Sequence, residues 1–106
     1  NLNLSGNLLE SIPSILGKLE SLRTLRLARN KIHRATDLEN LRDLHRLSSL
    51  TIVGNPCASD VATKDLAIFT IKTLDVLDGE AIKLSQRDAA RARFEYSEAD
   101  RMREER

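Results

Sequence analysis

The chain has 106 residues, a length that suits one domain of ordinary size, and its 17 basic and 16 acidic side chains leave a net charge of +1. Such a balance excludes a large field to gather nucleic acid or a membrane surface, no apolar run reaches the length of a membrane span, and no charged-then-apolar leader opens the chain. Leucine dominates a composition that is 41% hydrophobic but only 3% aromatic, so the core is expected in layers of leucine rather than as a sandwich or barrel.

The first segment reads Leu2-Asn3-Leu4-Ser5-Gly6-Asn7, a shortened form of a pattern that returns twice. Leu22 to Asn30 has the spacing L-x-x-L-x-L-x-x-N, and Leu47 to Asn55 repeats it with Ile52 at the third apolar position. The closing asparagines Asn7, Asn30 and Asn55 recur at nearly equal intervals, and self-similarity at a period in the twenties predicts a leucine-rich-repeat solenoid. Within each copy, alternation along a short strand buries Leu25 and Leu27 and turns Thr24, Arg26 and Ala28 outward. The asparagines are read as structural, their amides satisfying backbone groups where the chain turns under its neighbour. Nothing ahead of Asn1 caps the first strand, and solenoids need a polar cap at each end. The residues are therefore expected to be a piece of a longer protein, with Leu2 and Leu4 packing on something that precedes them.

Between the first two copies, Leu8, Leu9, Ile12, Ile15, Leu16, Leu19 and Leu22 recur every three or four positions, which predicts a loose helical segment on the convex side, with Pro13 near its start and Gly17 limiting its length. Ile32 then takes the place that Leu9 holds one repeat earlier. Thr36-Asp37-Leu38-Glu39 has capping-box spacing and predicts a second convex helix through Leu38, Leu41 and Leu44, in which Thr36 caps and Glu39 reaches back. The extra length of this repeat is placed in that helix. His33 and His45 lie on or near it as surface residues, since no cysteine or third histidine stands in ligand spacing.

Past Gly54-Asn55-Pro56 the pattern changes. Cys57 is the single cysteine, read as a small buried filler in a reducing compartment. Ser59 and Asp60 predict a helix start, with Val61, Ala62, Leu66, Ile68, Phe69 and Ile71 as its apolar face. Ile71 to Gly79 repeats the strand spacing once more and closes on the turn Asp78-Gly79.

The stretch from Asn55-Pro56 through Leu74-Asp75-Val76-Leu77-Asp78-Gly79 to Ile82 and Ser85-Gln86-Arg87 resembles the C-terminal cap of intracellular leucine-rich-repeat proteins. These form the class with repeats of about 22 residues, which includes the leucine-rich regulator of type-one protein phosphatase, the axonemal dynein light chain of this fold and many centrosomal and ciliary proteins. Ile82 matches the small apolar residue that follows Leu-Asp-Gly in that class, and Gln86-Arg87 replaces its Glu-Arg. Leu66-Ala67 stand near its tyrosine and basic residue, and Lys72 replaces its proline. The resemblance runs from Leu2 to Arg87.

From Gln86 to Arg106 more than half of the side chains are charged, with the two signs evenly balanced, and Ser85 with Asp88 has capping-box spacing. Arg91 with Glu95, Glu98 with Arg101, and Arg101 with Glu105 are helical neighbours of opposite sign, each pair contributing about 0.2–0.5 kcal/mol. The line Ala89, Ala92, Tyr96, Ala99 has the steps of a coiled-coil seam. Two readings of this helix stand side by side: a solvated helix with Phe94 tucked back on the cap, or a partner-binding or coiled-coil start.

These observations predict an α/β fold: a leucine-rich-repeat solenoid with a short parallel sheet on the concave face, helical segments on the convex face, a C-terminal cap and a trailing helix. Residues 1–57 form the repeats, 58–84 the cap and 85–106 the charged helix. No phosphate loop, dinucleotide fingerprint or C-x-x-C occurs, and no catalytic, cofactor or metal residues are assigned. Arg23, Arg26, Arg29 and Arg34 cluster in sequence but read as surface charge, with only Arg26 projecting clearly from the concave face. The expected function is non-catalytic protein binding, to other proteins and not directly to nucleic acid or membrane, through Asn1, Asn3, Ser5, Thr24, Arg26, Ala28, Ser49, Thr51 and Val53 and through the terminal helix. The resemblance implies an intracellular cytoskeletal setting: cilium, axoneme or centrosome. The alternatives are a nuclear ribonucleoprotein or phosphatase adaptor, and the repeat region of a kinase or ubiquitin ligase.

Overall fold

The computed structural model describes residues 1–104, with side chains as far as Phe94. Four short strands, β1 (Leu2–Asn3), β2 (Thr24–Arg26), β3 (Ser49–Thr51) and β4 (Val76–Leu77), lie parallel in sequence order, and β5 (Glu80–Ala81) closes the sheet antiparallel to β4. Leu2, Leu25, Leu50 and Leu77 face one another across the four parallel strands. Leu25, Leu27, Leu47, Leu50 and Leu74 are completely buried, so each repeat contributes one layer of a core continuous from coil to coil. The predicted solenoid is the fold observed.

The interval between successive aligned leucines lengthens from each coil to the next, and the convex segments account for it. The first two are 3₁₀ helices, Ser14–Lys18 and Ala35–Leu41, the second the longer; the third position holds a further 3₁₀ turn, Pro56–Ser59, and the α-helix α1, Val61–Thr70. A 3₁₀ helix rises about 2.0 Å per residue against about 1.5 Å for an α-helix. It therefore crosses the back of a narrow coil in fewer residues.

That economy corrects the predicted capping box. The second 3₁₀ segment begins at Ala35 after an extended Arg34 and has no side-chain cap, which leaves Thr36 inside the first turn and unable to face the free amides. Asp37 instead accepts from the Ile12 amide at 3.4 Å, and Glu39 lies 3.9 Å from Arg42. At α1 the predicted start holds, with Asp60 Oδ1 accepting from the Ala62 amide at 2.9 Å. The predicted apolar face does not hold in full. Thr63, Ala67, Ile68 and Thr70 are the buried residues of α1, while Val61 is 69% exposed. Small side chains at positions 63, 67 and 70 let α1 lie close to the coil, and the bulkier Leu66 and Phe69 sit at its margins, half-buried.

The last strand is displaced from its predicted register. Leu74 and Leu77 stand where Leu47 and Leu50 stand one coil earlier, so Ile71 belongs to the approach and not to the strand motif. Asp78 and Gly79 both have positive φ, 52° and 81°, the conformation a two-residue hairpin turn demands. They reverse the chain into β5.

The final helix, α2, runs Leu84–Glu104. The predicted Ser85–Asp88 box is not used, because Lys83 already stands at the helix start: its amide donates to Gln86 Oε1 at 2.8 Å. α2 lies on α1 through Ala90, which is fully buried, and through Phe94, whose ring centroid is 5.7 Å from that of Phe69. Arg93 reaches Asp65 at 3.1 Å, and Arg87 pairs with Asp75 at 3.5 Å while donating to the Leu74 carbonyl. Ala89 and Ala92 are exposed, so the seam predicted through them is not the face that packs on the cap. Tyr96, Ala99 and the pairs involving Glu95, Glu98, Arg101 and Glu105 lie outside the described side chains.

Candidate functional site

Strand pairing sets the outward residues in files across the sheet. Asn3, Arg26 and Thr51 are directly opposite one another, and so are Thr24, Ser49 and Val76, with Ala81 next in the second file. Beyond the strands the ladder continues from the Leu4 amide to the Arg26 carbonyl and from the Leu27 amide to the Thr51 carbonyl, each at 2.8 Å. The Gly6 and Arg29 amides bond the Ala28 and Val53 carbonyls, each at 2.9 Å, which brings Ser5, Ala28 and Val53 into a third file. Arg26, Asn3 and Val53 are exposed, and Ser5, Thr24, Ala28, Ser49 and Thr51 are half-buried. None of these side chains supports the core, whose leucines point the other way. Asn3 makes a local bond, its Oδ1 accepting from the Ser5 amide at 3.0 Å.

Beneath this surface the asparagines form a ladder of their own. Asn55 is buried; its Oδ1 accepts from the Asn30 and Ile32 amides, each at 3.2 Å, and its Nδ2 donates to the Leu27 and Ile52 carbonyls at 2.7 and 2.8 Å. Asn30 repeats the arrangement one coil earlier, accepting from the Leu9 amide and donating to the Leu4 and Leu27 carbonyls. Asn7 is exposed and makes one bond, to the Leu4 carbonyl at 2.8 Å.

Asp78 ends the series by a different device. The Leu4 and Leu27 amides donate to carbonyls of the following strand, and the corresponding donor just past β3, the Ile52 amide, meets the Asp78 side chain instead: Oδ1 accepts from it at 2.7 Å and from the Val53 amide at 3.1 Å. The chain has already turned away at Asp78, so a carboxylate stands in for a strand carbonyl. Its Oδ2 is buried without a hydrogen-bond partner, with the Lys64 ammonium 3.9 Å away.

Val76 belongs to the outward files, a position the L-x-x-L-x-L spacing counted from Ile71 does not give. Counting back from Asp78-Gly79 as a hairpin turn is the signal that would have found it. Cys57 follows the half-buried Leu9 and the buried Ile32 in the inward file at the bend, its amide bonded to the Ile32 carbonyl at 3.0 Å. Burial pushes its thiol above the usual range; its backbone hydrogen bond works against this, and Asp37 nearby adds to it. His33 and His45 are exposed. Among the described residues no three His, Cys, Asp or Glu side chains converge as a metal-binding group, and no helix is long and apolar enough to cross a membrane.

The sequence pattern named Leucine-rich repeat matches residues 2–105. The chain is 33% identical over 82 residues to Probable U2 small nuclear ribonucleoprotein A' of Caenorhabditis elegans, an alignment covering 77% of this chain and 32% of that protein. It is 32% identical over 89 residues to Leucine-rich repeat-containing protein 23 of Bos taurus, covering 84% of this chain and 26% of that one. The chain thus spans about a third or less of the curated relatives it matches. In fold it is similar to a chain of the Drosophila melanogaster SNF/U2A' complex, with a TM-score of 0.79 at 23% identity, over 97% of this chain and 60% of that one. The match along nearly the whole length, over a sheet and core laid out coil by coil, establishes that the chain belongs to the leucine-rich-repeat family.

Proposed function

We propose that this chain is a non-catalytic protein-binding module that grips a segment of another protein on its concave sheet. The supporting observation is the alignment of Asn3, Arg26 and Thr51 in one file and Thr24, Ser49 and Val76 in the next. Ser5, Ala28 and Val53 extend the surface. Rigid parallel files decouple recognition from stability, since outward residues change without touching the leucines behind them. In the functional division that goes with this reading, residues 1–57 recognise, 58–84 terminate the stack, and 85–106 offer a second contact surface.

The setting we propose is an intracellular adaptor of a ribonucleoprotein. Relatives named U2 small nuclear ribonucleoprotein A' match in sequence, and the SNF/U2A' complex matches in fold. A free, buried Cys57 accords with a reducing compartment. The cytoskeletal setting is the second reading; it rests on the cap's likeness to the ciliary and centrosomal class of these repeats.

The test is Arg26→Glu in the full-length protein, with partners captured and identified. Binding is expected to fall at least about tenfold, because the substitution reverses the charge at the centre of the proposed contact surface, while the circular-dichroism spectrum and melting stay unchanged. Unaltered capture would move the site to the convex face or α2. Capture of U2 small nuclear RNA with its proteins supports the first setting, and capture of axonemal or centrosomal proteins supports the second.

A further inference from the structure

The concave files are neutral except along β2. Arg26 stands between Asn3 and Thr51, and Arg29 lies just beyond the strand in the left-handed conformation, with φ 55°. Its counterparts in the neighbouring coils are Gly6 and Gly54, at φ 73° and 82°. A side chain at position 54 would collide with it: a Cβ there would come within 2.9 Å of Arg29 Cγ. The glycine therefore leaves the space that the Arg29 stem occupies, and an arginine is held where the fold otherwise puts glycine.

Both arginines are exposed, and none of the ion pairs among the described residues includes either. Two acidic groups of the last coil are engaged elsewhere, Asp78 with the Ile52 and Val53 amides and Asp75 with Arg87. The run between Arg26 and Arg29 separates the two backbones by about 10 Å at most, and the left-handed turn at Arg29 breaks the strand alternation that would otherwise carry it to the core side, leaving it exposed. We propose that Arg26 and Arg29 together read two carboxylates of an acidic protein segment laid along β2. This rests on the concave-face reading above and adds the chemistry of the partner to it. Guanidinium groups bind carboxylates in a paired, directional geometry, and carboxylates two turns apart on a helix are separated by about 10 Å. The flanking Asn3, Thr24, Ser49 and Thr51 are short enough to admit the segment between them. Single-stranded nucleic acid is read with stacking aromatics, and these files contain none.

The experiment uses the isotope-labelled full-length protein and three probes: an alanine-based helical peptide with two Glu placed two turns apart, its Gln counterpart, and a short oligouridine. The Glu peptide is expected to shift the side-chain Nε–Hε signals of Arg26 and Arg29 and the amides of Thr24 and Thr51. The Gln peptide should bind at least about fivefold more weakly, as should the Glu peptide to Arg26→Gln or Arg29→Gln. Arg29→Gln keeps the stem over Gly54, and the comparison of peptides on the unmutated chain needs no variant. Equal shifts of the concave amides by both peptides would overturn the role of the arginines while leaving the concave face as the binding surface. Shifts confined to the convex segments or α2 would overturn both readings. Tighter binding of the oligouridine at the same arginines would overturn the acidic segment in favour of RNA.

Discussion

Asn55 and Asp78 meet the same need in two ways. Both satisfy amides at the end of a strand, but Asn55 also donates to two carbonyls and so ties the coil before it to its own, whereas Asp78 only accepts. A group with donors and acceptors suits the middle of a stack, where backbone groups of both kinds are left over. A carboxylate suits its end, where amides remain with no further strand to receive them. Continuation and termination of the solenoid thus differ by the chemistry of one side-chain terminus.

Four sets of substitutions break or sharpen this contrast, all read by chemical denaturation. Leu25→Ala, in a layer packed on both sides, should cost about 2–5 kcal/mol, and Leu77→Ala, at the end of the stack, should fall at the lower end of that range. Equal costs would mean that the cap is packed as tightly as the repeats. Asn55→Ala strands buried groups on two coils and should cost about 3 kcal/mol, while Asn7→Ala should cost under about 0.5 kcal/mol. Similar losses at the two sites would show that the ladder's burial does not set its worth. For Asp78→Ala the expected loss is about 2 kcal/mol, because the Ile52 and Val53 amides lose their acceptor; a loss matching that of Asn7→Ala would show that water replaces the carboxylate. Arg29→Gly removes the strain of a left-handed non-glycine residue and should stabilise by about 1 kcal/mol, offset in part by the freer unfolded chain. Destabilisation instead would show that the Arg29 stem contributes packing over Gly54 that outweighs the strain.

The cap was harder to read than the repeats, and the reasons are local. Repeats were legible because Leu25, Leu27 and Asn30 recur with Leu50, Ile52 and Asn55 at one spacing, and a periodic pattern can be checked against itself. In the cap, Ile71-x-x-Leu74-x-Val76 matches the motif as well as Leu74-x-x-Leu77 does. Only the pairing of Leu50 with Leu77 decides between them. The capping boxes at Thr36 and Ser85 failed because a short motif assumes an ordinary α-helix start, while the narrow coil imposed a 3₁₀ segment and the hairpin delivered Lys83 to the helix start. The buried face of α1 differs from the apolar pattern because close approach selects small side chains, Thr63, Ala67 and Thr70, over large ones.

By itself the sequence determined the solenoid, the leucines buried behind β2 and β3, the outward residues of those strands and the structural roles of Asn30 and Asn55, because hydrophobic periodicity fixes which side of each strand leaves water. It did not determine that Leu8, Ile15 and Leu19 of the first convex segment stay exposed. Only the tertiary structure decided the register of β4, the use of the Asp78 carboxylate in place of a strand, the face of α2 that meets α1 and the placing of Arg29 over Gly54. Each of these is a contact between coils or helices, where close approach and unpaired backbone groups choose among local patterns that the sequence leaves equivalent.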